Sequence, residues 1–153
     1  MTDPAQNNII AIASGKGGVG KTWLSVTLAH LFARSGRQVL LFDGDIGLAN
    51  VDVQLGLTPQ RDLNSVINGR NNLRESITQY TEGGFDIVAG RSGSAALATL
   101  AVDKLENLAS ELKSIQKNYD FVIIDLGAGI EQHVQYLSSL AGRCIVVVTD
   151  EPT

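Results

Sequence analysis

Five short runs of apolar residues limit the ways in which this 153-residue chain can fold. Each run has the length of a strand, and none alternates with polar residues as a strand with one wet face would. Strands that are apolar on both faces need cover on both faces, which is typical of a parallel sheet in an α/β protein. We therefore predict an α/β domain with a mostly parallel sheet and helices on both of its faces. The runs occupy residues 8–13, 39–42, 85–89, 121–124 and 144–148.

The segments between the runs show the spacing of helices. Leu24, Leu28 and Leu31 recur on one helical face, and Gly36 is placed to end that helix. The same spacing is clear before and after the fourth run, and it is weak between the second and third runs. The predicted helices lie within residues 21–35, 62–80, 97–117 and 134–140.

A glycine-rich segment joins the first run to the first helix. Residues Gly15 to Thr22 fit the pattern G-x-x-x-x-G-K-[S/T], in the strand-to-helix position that its mechanism requires. The glycines let successive backbone N–H groups turn toward phosphate oxygens, and the helix directs the positive end of its dipole at the same charge. Lys21 would neutralise the β- and γ-phosphates, and Thr22 would offer its hydroxyl to Mg²⁺. The segment therefore predicts a site for the phosphates of a nucleotide.

Carboxylates follow two of the predicted strands. Asp43 and Asp45 come after the second run, and Asp125 comes after the fourth. The carboxyl ends of parallel strands lie at one edge of the sheet, where the glycine-rich segment also begins. Hydrolysis of a phosphate bond needs an acceptor that orients water and carboxylates that hold a hydrated metal. Taken alone, such acids are as often capping or solvated residues, so the assignment depends on the phosphate loop.

The segment after Asp125 is a second flexible loop at the same edge. Gly127 and Gly129 give this segment the conformational freedom of glycine. Taken alone, the segment is equally well explained as a turn at the end of a strand.

A second lysine in the phosphate loop, Lys16, is not required by the general pattern. With it, residues Lys16 to Thr22 resemble the deviant Walker A motif of the MinD/ParA ATPases, a family to which nitrogenase iron protein also belongs. Residues 46–56 resemble the switch I segment of the MinD and FlhG (FleN) branch. Residues 126–130 resemble its switch II segment, in which flexible glycines would let backbone N–H groups close on a γ-phosphate. MinD-like proteins often have proline where Gly127 stands, so that position is nearer to the FlhG pattern. The likeness extends from Ile9 to Thr153.

This resemblance implies a fold and a role for each matching residue. The fold is a P-loop NTPase of the nitrogenase-iron-protein/MinD type, with strand order 3-2-4-1-5 for the strands present. In the family the extra lysine reaches the partner's nucleotide across a dimer interface, which implies a catalytic role for Lys16. The resemblance also implies catalytic roles for Lys21 and for Asp45, with Asp45 positioning the attacking water. The implied nucleotide contacts are Gly15, Lys16, Gly17, Gly18, Val19, Gly20, Lys21, Thr22 and Gly129, to which Trp23 is added for stacking on the adenine of the partner, although the family more often has a smaller residue there. The implied metal site has Thr22, Asp125 and, through a metal-bound water, Asp43.

The resemblance also implies a function. We expect a slow, partner-stimulated ATPase that binds ATP and Mg²⁺ and forms a homodimer with ATP. We expect it in the cytoplasm, with reversible association with the inner face of the cell membrane through a C-terminal helix that is not in this chain. Its protein partners would belong to flagellar or other positioning machinery, and residues 48–56 and 127–129 favour FlhG-type control of flagellar number or placement over division-site control.

Two other functions remain open at this point, an iron–sulfur cluster scaffold ATPase and a ParA-type DNA-partitioning ATPase. The net charge of −4 argues against nucleic acid as a partner. Because Cys144 is the single cysteine, a fold held by disulfides is excluded, and an electron carrier that bridges a cluster with two cysteines per subunit is disfavoured.

The cysteine, the two histidines and the tryptophan are expected to have structural roles. We expect Cys144 to be a core thiol, and His30 and His133 to pack or to lie on the surface. Trp23 is expected to pack beneath the phosphate loop, with stacking on adenine as the alternative.

We expect residues 1–153 to be a single P-loop ATPase domain that forms the N-terminal part of a longer chain. The last predicted strand is followed by Thr149 to Thr153, and Thr153 is a suitable N-cap for a helix that does not follow. Whole members of the resembled family continue through further strands to an amphipathic membrane helix.

Overall fold

A six-stranded sheet forms the centre of the molecule, with strand order β3-β4-β2-β5-β1-β6. The structure is a computed structural model that describes residues 7–90 and 101–150. The strands are β1 (Ile9–Ala13), β2 (Val39–Gly44), β3 (Ile77–Tyr80), β4 (Phe85–Val88), β5 (Phe121–Leu126) and β6 (Arg143–Val146).

The predicted strand order is confirmed. The five predicted strands correspond to β1, β2, β4, β5 and β6, which lie side by side in the order β4-β2-β5-β1-β6 and pair in parallel. The register of β2 and β5 places Asp43 directly opposite Asp125. The sheet therefore brings the two predicted carboxylate positions together at its carboxyl edge.

The prediction of a helix over residues 77–80 is wrong. This segment is β3, an edge strand that pairs antiparallel with β4. Its sequence, Ile-Thr-Gln-Tyr, favours a strand, and the backbone N–H groups of Gly83 and Gly84 both donate to the Tyr80 carbonyl to close the hairpin. Gly84 adopts a φ of 72°, which suits glycine.

Helices cover both faces of the sheet, as predicted. They are accompanied by 3₁₀ turns at residues 74–76 and 116–118. The start at Leu97 of the predicted helix over residues 97–117 lies outside the described residues. The helices are α1 (Lys21–Arg34), α2 (Val51–Leu55), α3 (Leu63–Ile67), α4 (Val102–Ile115) and α5 (Gln132–Ser139).

Successive side chains of the strands point to opposite faces of the sheet and form two apolar layers. On one face, Ile10, Leu41 and Ile123 pack with Val26 and Ala29 of α1. The opposite face packs against α3, α4 and α5, and its layer includes Leu40, Phe42, Ile124, Leu108, Leu112 and Leu137. None of the helices within residues 7–90 and 101–150 has the length and apolar character to cross a membrane.

Cys144 is exposed, so the prediction of a core thiol is wrong. It lies in β6, whose four residues are all exposed. This strand pairs with β1 at the edge of the described sheet. Its sequence is mostly apolar, but no described helix covers it. His30 packs as predicted, with its ring edge-on to Phe85 at a centroid distance of 5.0 Å.

Candidate nucleotide site

The phosphate loop connects β1 to α1 at the carboxyl edge of the sheet. Gly18 and Gly20 have φ values of 73° and 96°, a left-handed conformation that side chains rarely tolerate. Gly20 is the N-cap of α1 and supplies no side-chain cap. The first-turn N–H groups of the helix are thus left for an anion, which is the arrangement that binds phosphate at helix N-termini.

Lys21 is held inside the loop by a serine that the sequence analysis did not single out. The Lys21 side chain is buried, and its Nζ donates to the Ser14 Oγ at 2.8 Å. The same hydroxyl donates to the Lys16 carbonyl at 2.6 Å. Ser14 directly precedes the first glycine of the loop at the end of β1. This position beside the loop is the sequence feature that could have indicated its contact with Lys21. The contacts hold the Lys21 ammonium within the concave side of the loop.

Asp125 forms the floor of the site together with the start of α1. It is 1% exposed, and it accepts hydrogen bonds from Thr22 Oγ1 at 2.6 Å and from Ser25 Oγ at 3.0 Å. Burial raises the pKa of Asp125 despite these hydroxyls and the nearby Lys21 ammonium, all of which lower it. A cation placed beside this carboxylate would stabilise its ionised form. Ser25 is a second residue that sequence reasoning missed.

Asp43 is completely buried, and the backbone of the following loop surrounds its carboxylate. Oδ2 accepts from the N–H groups of Asn50 and Val51, both at 3.1 Å, and Oδ1 accepts from the N–H of Asp45 at 3.2 Å. The pKa of Asp43 is raised from 3.8 to about 7, mainly by burial and in addition by the charges of Asp125 and Asp45, while the hydrogen bonds from the N–H groups oppose the rise. The predicted contact of Asp43 with a metal-bound water stays a prediction.

Asp45 lies where the loops after β2 and β5 meet. Its Oδ1 accepts from the Leu48 N–H at 3.0 Å. A Cβ atom placed on Gly127 would lie 3.3 Å from that same oxygen, so the glycine allows the two loops to approach closely. Asp45 and Lys21 line one pocket of about 360 Å³, together with glycines of both loops and with Glu131 and His133 of the segment that begins α5.

Gly129 has a φ of 100°, and its N–H donates to the Ser14 carbonyl at 3.0 Å. This bond ties the loop after β5 to the phosphate loop. The predicted contact of that N–H with a γ-phosphate requires the bond to Ser14 to break first.

Trp23 is 65% exposed, so the prediction that it packs beneath the phosphate loop is wrong. The buried face of α1 contains Lys21, Ser25, Val26 and Ala29, and helical geometry places Trp23 on the other side. Its stacking on adenine stays a prediction. Lys16 lies on the exposed part of the loop, as a residue that reaches toward a partner would.

The donor set suits Mg²⁺ bound together with a nucleotide. Thr22 and Asp125 offer oxygen atoms, which Mg²⁺ prefers. Within the described residues, no group of three or more His, Cys, Asp or Glu side chains could hold a metal ion. Mg²⁺ commonly takes one or two carboxylates and completes its shell with phosphates and water, so the arrangement fits.

A more voluminous groove of about 640 Å³ lies between α3 and α4, away from this edge of the sheet. Its lining has asparagine side chains and Lys104, without a glycine-rich loop or strand-end carboxylates. The chemistry therefore places the candidate site at the smaller pocket.

A parallel α/β sheet with this loop between its first strand and first helix, and with acids at the neighbouring strand ends, defines a P-loop NTPase domain. A family model described as AAA domain matches residues 7–151. The chain belongs to this family, as a member of its MinD/ParA group of P-loop ATPases.

Two curated relatives show the similarity in sequence. The antiactivator FleN of Pseudomonas aeruginosa is 44% identical over 145 residues, which are 95% of this chain and 51% of FleN. The flagellum site-determining protein YlxH of Helicobacter pylori is 34% identical over 145 residues, 94% of this chain and 49% of YlxH. The chain thus spans about half the length of the curated relatives it matches.

Solved structures show the same fold. The septum site-determining protein MinD of Pyrococcus horikoshii, complexed with Mg-ADP, matches with a TM-score of 0.83 and 30% identity over 94% of this chain and 58% of that chain. A chain of the MinC:MinD complex of Aquifex aeolicus matches with a TM-score of 0.76 and 32% identity over 91% of this chain and 55% of its own length. The predicted MinD-type fold is confirmed.

Proposed function

We propose that this chain is the nucleotide-binding domain of an ATP-binding and ATP-hydrolysing dimerisation switch of the MinD/FlhG type. The observation that carries the proposal is the single pocket in which Lys21 of the phosphate loop, Asp45 and the glycine loop after β5 meet. The Mg-ADP complex of the related MinD supports ATP and Mg²⁺ as the ligands.

In this proposal each group has a defined task. Lys21 leaves the Ser14 hydroxyl and neutralises the β- and γ-phosphates, while Asp45 orients a water in line with the γ-phosphate. Thr22 and Asp125 hold Mg²⁺, which supplies charge stabilisation to the phosphates. Gly129 leaves the Ser14 carbonyl and turns its N–H toward the γ-phosphate.

The rim of the pocket supports a second copy of the chain as the partner. Lys16 lies exposed on the phosphate loop, and the side chains of Leu48 and Ile130 are 70% and 80% exposed on the two neighbouring loops. Exposed apolar residues of this kind are typical of a contact surface. ATP would then contact both subunits and ADP fewer groups, which biases the equilibrium between closed and open dimers.

Replacing Lys16 by alanine is expected to abolish ATP-dependent dimerisation, because the charge that reaches the partner's nucleotide is lost. ATP affinity per subunit should stay within about threefold, since Lys21 still neutralises the phosphates. Light scattering of the protein with ATP and Mg²⁺ measures the mass, with Lys113→Ala as the control on the exposed side of α4. A Lys16→Ala protein that dimerises as readily as the wild type would contradict the role across the interface.

The names of the relatives support a role in spatial organisation, FleN as an antiactivator and YlxH as flagellum site-determining. We propose control of flagellar number or placement, with reversible binding to the inner face of the cell membrane by the complete protein. Deletion of the gene should alter the number or position of flagella, and electron microscopy of the cells measures it. An unchanged flagellar pattern with displaced division septa would instead favour the division-site branch.

A further inference from the structure

The loop from Asp45 to Val51 is closed at both ends by one side chain, that of Asp43. The N–H of Asp45 at the start of the loop and the N–H groups of Asn50 and Val51 at its end all donate to the Asp43 carboxylate, at 3.1 to 3.2 Å. Asn50 is the N-cap of α2, and its side chain makes no capping hydrogen bond. The Asp43 carboxylate, which lies outside the helix, therefore accepts the hydrogen bonds of the backbone N–H groups at the start of α2.

The same loop also packs closely against Gly90 at the edge of the sheet. Gly90 follows β4, and a Cβ atom at that position would lie 2.3 Å from the Ala49 Cβ and 3.1 Å from the Asp43 Cγ. Glycine at position 90 is thus required for the loop to rest on Asp43. Both Ala49 and Val51 are fully buried in this arrangement.

From these contacts we infer that Asp43 is a positioning residue, a latch that holds the 45–51 loop closed so that Asp45 faces Gly127. The latch acts through backbone hydrogen bonds and steric fit, and it operates without nucleotide or metal. The inference deepens the proposed function, because Asp45 is the residue that orients water there. Both carboxylate oxygens are already engaged by N–H groups, so holding the loop is a task separate from any contact with a metal-bound water.

Hydrogen exchange in EDTA without nucleotide tests the latch. An Asp43→Asn protein keeps the size of the side chain but has one acceptor oxygen instead of two, so its NH₂ group must face either the Asp45 N–H or the N–H groups of Asn50 and Val51, with which it cannot pair. The amides on the side that the NH₂ group faces, either that of Asp45 or those of Asn50 and Val51, should exchange at least about tenfold faster than in the wild type, while the amides of β1 and β5 stay unchanged. Asp125→Asn is the matched control, since it removes a buried charge at the same edge and should leave the Asn50 and Val51 amides protected.

A steric variant tests the latch without altering a carboxylate. Gly90→Ala should also speed exchange at Asn50 and Val51, and adding Ala49→Gly to it should restore protection because the main overlap is removed. Ala49→Gly alone serves as the control for the loop. The double variant should regain at least half of the lost protection.

Two results would overturn the latch. One is faster exchange in Asp43→Asn with Mg²⁺ and ATP but not in EDTA, which would assign Asp43 to the metal. The other is a uniform rise over all strands, which would show a general structural role. Because the main comparison is made in EDTA without nucleotide, its outcome is independent of whether the protein hydrolyses ATP.

Discussion

Replacing Asp45 by asparagine is expected to slow ATP hydrolysis at least about 100-fold, since a positioned acceptor for the attacking water contributes a factor of that order or more. The amide has the shape of the carboxylate and can still accept the Leu48 N–H, so the loop should keep its conformation. What is lost is the negative charge that orients the water and draws its proton. ATP binding should therefore stay within about threefold of the wild type.

Steady-state phosphate release measures the rate, and calorimetric titration with a non-hydrolysable ATP analogue measures the affinity. Asp52→Asn is a matched control, because Asp52 lies in α2 and outside the pocket that Asp45 lines. Hydrolysis within a factor of three of the wild type in Asp45→Asn would remove Asp45 from the mechanism and leave Asp43 and Glu131 as the acids to examine.

Replacing Lys21 by alanine is expected to weaken ATP binding at least about 100-fold, a change of about 2.7 kcal/mol in binding free energy. The Lys21 ammonium is buried, and Ser14 Oγ is its hydrogen-bond acceptor at 2.8 Å. Exchange of that neutral partner for the anionic β- and γ-phosphates is favourable because hydrogen bonds between charged groups are stronger than neutral ones. The effect on hydrolysis should be larger still, since the oxygen that bridges the β- and γ-phosphates gains negative charge as its bond to the γ-phosphorus breaks and it leaves with ADP.

Titration of the purified protein with a fluorescent ATP analogue provides the measurement. Lys113→Ala removes an exposed lysine of α4 and should leave the affinity unchanged. Circular dichroism must show the same helix content and unfolding temperature for Lys21→Ala, because its side chain is buried. Unchanged affinity in a folded Lys21→Ala protein would refute the assignment of this loop to the phosphates.

Much of the architecture followed from patterns that are local in the sequence. The five apolar runs marked β1, β2, β4, β5 and β6, and the family resemblance supplied their order. The phosphate loop and the three aspartates at strand ends were found because a parallel sheet brings all such ends to one edge. The residues that carry the candidate chemistry were therefore accessible from sequence.

The missed features depend on contacts between distant segments. Ser25 bonds Asp125 from 100 positions away, and nothing in the local spacing distinguishes it from other serines of a helix. The strand β3 has four residues, which are too few to show a strand pattern in the sequence beside the weak helical spacing around them. Its conformation is set by pairing with β4. Trp23 and Cys144 were misplaced because apolar character predicts burial only where another element covers the residue.

The position of β1 in the sheet has a consequence for how the protein is made. This first strand lies between β5 and β6, so its partners begin at residues 121 and 143. During synthesis, β1 and the phosphate loop leave the ribosome long before the strands that flank them, and such distant pairing slows folding. We therefore expect the nucleotide site to assemble only after β5 has been synthesised, and the apolar β1 segment to lack its sheet partners until then.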